Sequence, residues 1–200
     1  MKIYDIEEHG FHRAMRGLAR SYNQKVESMP EVALKLGPKD LGHNKFLESI
    51  VVWMEVEAPR FWWSEMDTYR GDLEDMKGIT KQSDSTMHTL TRRPLTDEDF
   101  EYGCQGDYLA YLNRQIERCK KKYITIAQLK NDLPDGFIQG RSICTSYKVL
   151  RNIILQRWNH RLPQWQLFCF TLLFALRRAD YLGIPEEIWD EFKKWNLAQK

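Results

Sequence analysis

The sequence predicts a helix-rich α+β protein with one small β-sheet flanked by helices, and three observations support this. Residues 49–57 are apolar on both faces of a two-residue period, as expected of a strand inside a sheet. Elsewhere, apolar residues recur mainly every three or four positions, which is the period of a helix. The chain of 200 residues is 42% apolar, which favours a packed core in one domain spanning residues 1–200.

The first part of the chain predicts a strand, a helix and the central strand. Residues 1–6 alternate apolar and polar side chains, which predicts a short strand, and residues 11–22 carry an apolar helical face. Met29-Pro30 and Gly37-Pro38 indicate loops. Residues 49–57 then form the central strand.

Turn and cap signals divide the middle of the chain. Pro59 ends the central strand, because proline has no amide donor for a ladder but suits the first turn of a helix, which we expect over residues 60–70. Residues 71–85 are polar and contain glycines, which predicts a mobile loop or lid. Thr96-Asp97-Glu98-Asp99 is typical of a capping box, and the helical stretch restarts over residues 106–122.

A second strand and its following helix are predicted further along. Residues 125–132 form a short helix capped by Thr125, and residues 137–144 form a strand. Either Thr145 or Ser146 caps the next helix, which extends to residue 158.

The C-terminal region predicts two more helices and no membrane span. A long helix is expected from Gln164 to about Leu182, where Gly183 stops it, followed by a last helix carrying residues 188–195. The longest apolar stretch, residues 167–176, is well short of the ~20 residues that a bilayer span requires. No basic-then-apolar leader opens the chain, so we expect a soluble, cytoplasmic protein.

Charge and cysteine content argue against several classes of protein. The formal net charge is +2, too balanced for a dedicated nucleic-acid coat, so an anion site must be local. The four cysteines are far apart, with no CxxC and no Cys/His pair at zinc spacing. We therefore expect neither a metal site nor a disulfide framework, and the cysteines are expected to be reduced: Cys104, Cys119, Cys144 and Cys169.

Basic, acidic and amide side chains interrupt the apolar elements in two segments, residues 43–70 and 130–166. A strand or helix that buries one face does not need them there, so we expect them to meet an anionic or polar ligand. The residues concerned are Arg60, Glu65, Arg70, Lys148, Arg151, Arg157 and Gln164. The positive members predicted for this site are Arg70, Lys130, Lys148 and Arg157, converging from two helices and a serine-rich loop.

The same two segments resemble the two halves of the flavin-dependent thymidylate synthases, in the same order and at nearly the same spacing. Together they cover about half the chain. The resemblance implies a small, mostly antiparallel sheet flanked by helices, of the thymidylate synthase-complementing-protein type. The matching motifs are His43-Asn44-Lys45-Phe46-Leu47-Glu48, Ala58-Pro59 with the helix ending at Arg70, Leu133-Pro134, Ser146-Tyr147-Lys148, Arg157 and Gln164-Trp165.

The resemblance implies a catalytic role for one arginine. Arg157 matches the arginine that contacts the uracil ring of deoxyuridylate in such enzymes and draws electron density from the ring. The alternative is a helix C-terminal arginine paired with a neighbouring carboxylate. Lys130 matches a second nucleotide-binding arginine, and Glu65 stands where a glutamine orients the nucleotide. That change inverts a hydrogen-bond preference and could favour a pyrimidine bearing an amino group.

The matched first segment departs from the family pattern. The family's Arg-His-Arg triplet, which lies against flavin and nucleotide, is here Thr68-Tyr69-Arg70, so only Arg70 is kept as a substrate-binding arginine. Thr68 and Tyr69 take the cofactor-facing positions. A serine-rich stretch resembles the nucleotide-binding loop, and both Ser83 and Ser85 are candidates for its serine.

Three further residues match cofactor-binding positions. His43 aligns with a histidine that lies near the flavin in the family. A histidine that begins a short helix is, however, as often a cap or a surface residue. Ser146 replaces an asparagine that contacts flavin, and Lys148 falls where a second basic residue occurs. Lysine keeps the charge but loses the two-pronged geometry of arginine.

The resemblance implies a homotetramer that uses FAD, NADPH and methylene-tetrahydrofolate to methylate dUMP reductively. Two alternatives stay open. A nucleotide-binding protein that kept the fold and lost the chemistry is suggested by Thr68, Tyr69 and Ser146. A structural or partner-binding protein is suggested by the seven tryptophans and the near-neutral charge. In each case we expect no membrane association and no nucleic-acid partner.

Overall fold

The computed structural model describes residues 1–69 and 78–198. Within these residues the chain forms four strands and nine α-helices, joined by short 3-10 turns. In chain order they are β1 (Lys2–His9), α1 (Phe11–Tyr22), α2 (Met29–Leu36), β2 (Val51–Pro59), α3 (Arg60–Met66), β3 (Thr80–Ser83), α4 (Thr86–Thr89), α5 (Gly106–Lys120), α6 (Ile126–Asn131), β4 (Ile138–Ser146), α7 (Tyr147–Arg157), α8 (Pro163–Ala175) and α9 (Glu186–Ala198).

The four strands form one small antiparallel sheet in the order β1-β2-β4-β3, which confirms the predicted α+β class. The predicted central strand, β2, lies inside the sheet. Val52, Met54 and Val56 are buried on one face of β2, but Trp53 on the other face is 45% exposed. The predicted central position of β2 is confirmed, and the exposure of Trp53 is compatible with it, because one face of an antiparallel sheet can meet solvent.

The described residues separate into two compact units. The first unit contains residues 1–2, 56–68 and 81–142, and the second contains residues 3–55, 69, 78–80 and 143–198. Strands β2 and β4 each contribute residues to both units. That the whole chain is one domain remains a prediction.

Each unit has its own apolar core. In the first unit, α5, α6 and the neighbouring turns bury a cluster consisting of Leu90, Leu95, Phe100, Leu112, Ile116, Leu129, Leu133 and Phe137. In the second unit, α7 and α8 bury their apolar side chains, among them Leu150, Ile153, Ile154, Trp165 and Phe168. Trp62, Trp63 and Trp165 are fully buried, as large aromatic side chains at helical spacing usually are.

Two predicted loops are wrong in part. Helix α2 (Met29–Leu36) begins where Met29-Pro30 was expected to mark a loop. Proline is tolerated in the first turn of a helix, because the amide that it lacks has no partner there. Strand β3 (Thr80–Ser83) lies within the predicted lid over residues 71–85. Residues 70–77 lie outside the described residues.

The predicted long helix over residues 164–182 is also wrong, because α8 ends at Ala175 and only a 3-10 turn follows at Ala179–Leu182. The backbone N–H of Arg177 donates to the Glu8 carboxylate at 3.1 Å, and that of Arg178 donates to the Tyr147 hydroxyl at 3.3 Å. These tertiary acceptors replace the intrahelical carbonyls, so the helix stops there.

The predicted caps are largely confirmed. Thr96 and Asp99 form the capping box, here on a 3-10 turn, and the Thr125 hydroxyl accepts the Gln128 N–H at the start of α6. Of the two candidates before α7, Ser146 is the cap, because its Oγ accepts the Val149 N–H at 3.4 Å. These caps fix where α6 and α7 begin, and both helices carry predicted site residues.

Candidate functional site

Arg157, the predicted catalytic residue, is the last residue of α7 and is half-buried in the second unit. Its Nε donates to the Tyr69 hydroxyl at 2.8 Å. The guanidinium carbon lies 5.0 Å from the centre of the Trp165 ring and 5.6 Å from that of Tyr69. A hydrogen bond to Tyr69 and two aromatic faces, which attract a cation, therefore help to hold Arg157.

Tyr69 contacts its neighbours through both its hydroxyl and its ring. Its hydroxyl accepts from Arg157 and donates to Gln156 Oε1 at 3.0 Å, and its ring meets Trp165 edge to face at 5.9 Å. The sequence places Tyr69 in a cofactor-facing position, and the structure pairs it with the predicted catalytic arginine. The sequence analysis did not predict a role for Gln156, and the feature that could have indicated one is its position next to Arg157.

The start of α7 carries two predicted cofactor residues in the second unit. Ser146 caps the helix, and the Lys148 ammonium donates to the side-chain oxygen of Asn44. Asn44 is fully buried and donates from Nδ2 to the Gly37 carbonyl at 3.1 Å. The neighbouring residue, His43, is exposed. Asn44 thus places Lys148 close to the segment that carries His43.

His43 lines a cavity of about 790 Å³ in the second unit, which we call the α1 cavity. One wall is formed by α1 and includes Gly17, Ser21 and Tyr22, and the other includes Lys45 and Phe46. Ligand pockets typically enclose about 300–1,000 Å³ and combine apolar surface with a few polar groups. The α1 cavity matches that description in size and in lining.

The remaining predicted residues belong to the first unit. Glu65 is half-buried on α3, and its carbonyl accepts the Thr68 hydroxyl at 2.7 Å. Thr68 is exposed, and so are Ser83 at the end of β3 and Ser85 before α4. Lys130 lies half-buried in the last turn of α6. Arg70 lies outside the described residues.

A smaller cavity of about 270 Å³ follows the serine-rich stretch in the first unit, and its lining includes Asp84, Arg93 and Asp99. Arg93 donates to Asp99 with both terminal nitrogens, one of them at 2.7 Å. Burial raises the pKa of Asp99, but hydrogen bonds from Arg93 and the Thr96 N–H outweigh this and hold the pKa below its usual value. Asp99 is therefore a carboxylate at neutral pH.

Two of the charged residues that the sequence assigned to a ligand have structural roles. Arg60 donates to the Leu133 carbonyl at 2.7 Å. Arg151 is 5% exposed and donates to the carbonyls of Leu182 and Pro38, at 2.9 and 3.1 Å, and to Asp40 at 3.1 Å. The assignment of Arg151 to a ligand is wrong, because these three acceptors take up its guanidinium.

A cluster that the sequence did not reveal lies beside Thr68 in the first unit. Asp67 accepts from the Lys81 ammonium and from Arg141 Nη1 at 3.2 Å. The guanidinium of Arg141 also lies 4.3 Å from the centre of the Trp63 ring. Two cations thus share one carboxylate, which ties β3 and β4 to the turn after α3.

Residues 1–69 and 78–198 contain no group of three His, Cys, Asp or Glu side chains arranged to hold a metal ion. In the same ranges, every helix is too short or too polar to cross a bilayer.

Comparison with known proteins identifies the fold. No protein-family model matches the sequence, and a search of curated proteins finds no significant match. Two crystal structures of ThyX, the flavin-dependent thymidylate synthase of Helicobacter pylori, with FAD and dUMP, are similar in structure at TM-scores of 0.69 and 0.72. Both are 15% identical in sequence, over 92% of this chain and 98% and 97% of theirs. The chain therefore has the fold of a flavin-dependent thymidylate synthase.

Proposed function

We propose that this protein binds FAD and a pyrimidine deoxynucleotide, dUMP or a close relative, and methylates the base reductively as a divergent flavin-dependent thymidylate synthase. The observation that carries the proposal is the fold, which matches nearly the whole length of ThyX structures that contain FAD and dUMP. A fold hosts many functions, so the residues have to supply the chemistry.

Arg157 is the proposed catalytic residue. Its guanidinium is half-buried between Tyr69 and Trp165, where a charge is less screened than in water. Placed against a carbonyl oxygen of a pyrimidine, it draws electron density from the ring and stabilises negative charge on that oxygen. This role needs no cysteine nucleophile.

The proposal assigns five further residues to the nucleotide. The ammonium of Lys130 offers a positive charge to the phosphate, and Arg70 offers a two-pronged donor. Ser83 and Ser85 offer exposed hydroxyls. Glu65 offers an acceptor, which suits a base that bears an amino group.

The residues of the α1 cavity fit FAD in size and in donor set. The cavity encloses about 790 Å³, and its wall presents an imidazole, an ammonium and a hydroxyl from His43, Lys45 and Ser21. FAD, when bound, supplies the hydride for the reduction. The proposal assigns binding of the flavin to His43, which lines this cavity. On the basis of the resemblance, it also assigns Thr68, Tyr69, Ser146 and Lys148.

Assignment to the flavin-dependent thymidylate synthases also implies two further substrates and an oligomeric state. NADPH is the proposed source of reducing equivalents, and methylene-tetrahydrofolate is the proposed donor of the one-carbon unit. The proposed assembly is a homotetramer in the cytoplasm.

A second candidate function, a nucleotide-binding protein without catalysis, is favoured by the side chains that replace the family triplet. The Thr68 hydroxyl donates back to its own turn, and the Tyr69 hydroxyl contacts Arg157 and Gln156. Neither side chain carries the positive charge found at the matching positions of the family. Their hydroxyls also take part in contacts within the chain.

An absorption spectrum combined with a complementation assay separates the two candidates. After soaking with FAD and gel filtration, we expect the protein to retain the visible absorbance of oxidised flavin. We also expect growth of a thymidine-requiring strain that expresses the protein. Retained nucleotide binding without flavin or growth would favour the second candidate. Absence of both nucleotide and flavin binding would refute both candidates.

A further inference from the structure

The hydroxyl of Tyr69 links the last two residues of α7. It accepts the Nε–H of Arg157 at 2.8 Å and donates to Gln156 Oε1 at 3.0 Å. A phenol has one hydrogen to donate, and Gln156 takes it, so a lone pair of the phenol oxygen faces Arg157. The three side chains thus form a hydrogen-bond chain with a single direction, from Arg157 through Tyr69 to Gln156.

The ring of Tyr69 packs against a residue that the helix core holds in place. Trp165, near the start of α8, is fully buried and meets Phe168 edge to face, with the ring centres 6.0 Å apart. Tyr69 meets Trp165 edge to face at 5.9 Å, and the guanidinium carbon of Arg157 lies 5.0 Å from the centre of the Trp165 ring. Aromatic pairs of this kind favour a defined ring orientation. A buried side chain of α8 therefore helps to fix where the Tyr69 hydroxyl lies.

The contact with Tyr69 determines the direction in which the Arg157 guanidinium points. A guanidinium presents its N–H groups in a planar fork, and two nitrogens on one edge can bind a planar acceptor. Nε lies on one of these edges, and it donates to Tyr69. A carbonyl oxygen of a pyrimidine would therefore meet Arg157 from the side of its two Nη atoms.

Folding gives little reason for this hydrogen-bond chain. Gln156 is exposed, and Tyr69 and Arg157 are half-buried, so water can replace these hydrogen bonds at little cost. Arg151 on the same helix differs, because it satisfies backbone carbonyls. An arginine side chain has several rotatable bonds, and fixing them when a ligand arrives lowers the affinity. A contact that fixes them beforehand favours ligand binding.

We propose that Tyr69 is a positioning residue for Arg157: its hydroxyl holds the guanidinium in the orientation that meets the pyrimidine ring, and Gln156 fixes the direction of that hydroxyl. The role rests on the function proposed above, in which Arg157 contacts the base. Donors that are oriented before the reaction stabilise developing charge without reorganising. Tyr69 acts through Arg157 and needs no contact of its own with the nucleotide.

Calorimetric titration of dUMP into the FAD-soaked, full-length protein and its variants tests this role. Tyr69→Phe removes the hydroxyl and keeps the ring, so we expect the dUMP affinity to fall by roughly 5- to 10-fold, in the range for one lost side-chain hydrogen bond. Gln156→Leu removes only the acceptor of the hydroxyl, and we expect a loss of about 2-fold.

The matched control is Tyr123→Phe, at a tyrosine of the first unit that is 72% exposed. It removes a phenol hydroxyl from the surface and should retain wild-type affinity for dUMP. The melting temperature of Tyr69→Phe should stay within about 2 °C of the wild type, because the ring contacts remain. Wild-type dUMP affinity in a folded Tyr69→Phe variant would overturn the proposal.

A double-mutant cycle separates positioning from direct binding. In the Arg157→Ala background the hydroxyl has no guanidinium to orient, so adding Tyr69→Phe should leave the remaining dUMP affinity unchanged. An equal fractional loss of affinity in both backgrounds would mean that Tyr69 acts independently of Arg157, and the positioning role would be refuted.

Nuclear magnetic resonance of isotope-labelled protein tests the contact without any nucleotide. The Nε–H of Arg157 gives a signal that is identified by its loss in Arg157→Ala. A hydrogen-bonded N–H must open before its proton exchanges with water, so we expect this exchange to be at least roughly 5-fold faster in Tyr69→Phe than in the wild type. Equal exchange rates in the two proteins would contradict the proposed orientation of Arg157.

The two measurements keep the positioning role distinct from the proposed function. If the wild type does not bind dUMP but Tyr69→Phe speeds exchange at Arg157 Nε, the proposed function fails and the orientation of Arg157 by Tyr69 is supported. If dUMP binds the wild type and Tyr69→Phe changes neither affinity nor exchange, the dUMP assignment is supported and the positioning role is refuted.

Discussion

Arg151 and Arg157 lie six residues apart on α7, and their surroundings differ in kind. Arg151 is 5% exposed, and its guanidinium donates to two backbone carbonyls and to Asp40. Arg157 is half-buried at the end of the helix, where it donates to a phenol and packs against two aromatic rings. The first joins α7 to two loops, and the second occupies the predicted catalytic position.

The comparison shows that a charged residue beside an apolar stripe can have either of two roles, one in stability and one in ligand binding. A buried arginine can satisfy carbonyls that have no secondary-structure partner, and its removal leaves them without a donor. Removal of Arg157 takes away the hydrogen bond to Tyr69 and the contacts with the rings of Tyr69 and Trp165. Stability should therefore depend strongly on Arg151, and ligand binding on Arg157.

The largest effect is expected for Arg151→Ala. It removes the donor to the carbonyls of Pro38 and Leu182, so we expect the free energy of unfolding to fall by about 3 kcal/mol. Urea denaturation followed by circular dichroism measures this change. Arg114→Ala, at an exposed position of α5, is the matched control and should change stability by less than about 0.5 kcal/mol.

An Arg151→Ala variant as stable as the wild type would remove the contrast between the two arginines. It would mean that the carbonyls of Pro38 and Leu182 find water or other donors, and that Arg151 is available to a ligand after all.

The next largest effect is expected for Tyr147→Phe at the start of α7. The Tyr147 hydroxyl donates to Glu8, whose side chain is 5% exposed, so its loss should lower the free energy of unfolding by about 1–2 kcal/mol. The variant keeps the ring that packs edge to face on Phe11. Thermal denaturation at pH 7 measures the difference.

The same residue predicts a loss of stability in alkali. Burial, together with the Glu8 carboxylate, raises the pKa of Tyr147. Above about pH 10 the unfolded chain releases the phenol proton while the folded chain keeps it, so stability falls as the pH rises. Tyr147→Phe should show a smaller fall between pH 9 and about 11. Equal slopes for both proteins would contradict the buried phenol–carboxylate contact.

The smallest effect is expected for a third arginine, Arg93, whose side chain is 61% exposed beside Asp99. The pKa of Asp99 is lower in the folded protein than in the unfolded chain, where it is about 4. The ion pair therefore stabilises the folded protein above about pH 4, and this stabilisation is lost as the pH falls below that value. Arg93→Met should reduce stability at pH 7 by no more than about 1 kcal/mol. Its acid denaturation profile should be flatter below about pH 4, and an unchanged profile would contradict the assignment.

Elements whose signals are local were predicted well from the sequence. The central strand β2, helix α1 and the caps Thr125 and Ser146 depend on periodicity and on side chains within three residues. The end of α8 was missed, because it is set by acceptors on Glu8 and Tyr147, more than 25 residues away in sequence from the amides that they bind.

In the candidate site, too, some residues could be predicted from local motifs and others depend on tertiary contacts. The motif order predicted Arg157 as a site residue, and the structure places it against Tyr69 and Trp165, while Gln156 accepts a hydrogen bond from Tyr69. Periodicity alone could not distinguish Arg151 from Arg157, because both lie beside the apolar stripe of α7, and the acceptors of Arg151 at Pro38, Asp40 and Leu182 are tertiary contacts.

Calorimetric titration of dUMP into the FAD-soaked protein and into its Arg157→Ala variant tests the central assignment most directly. We predict that dUMP binds the wild type, that the variant keeps a melting temperature within about 3 °C of the wild type, and that its affinity falls roughly 10- to 100-fold. Equal affinities in the two proteins, or no binding to the wild type, would contradict the role of Arg157 at a pyrimidine nucleotide site.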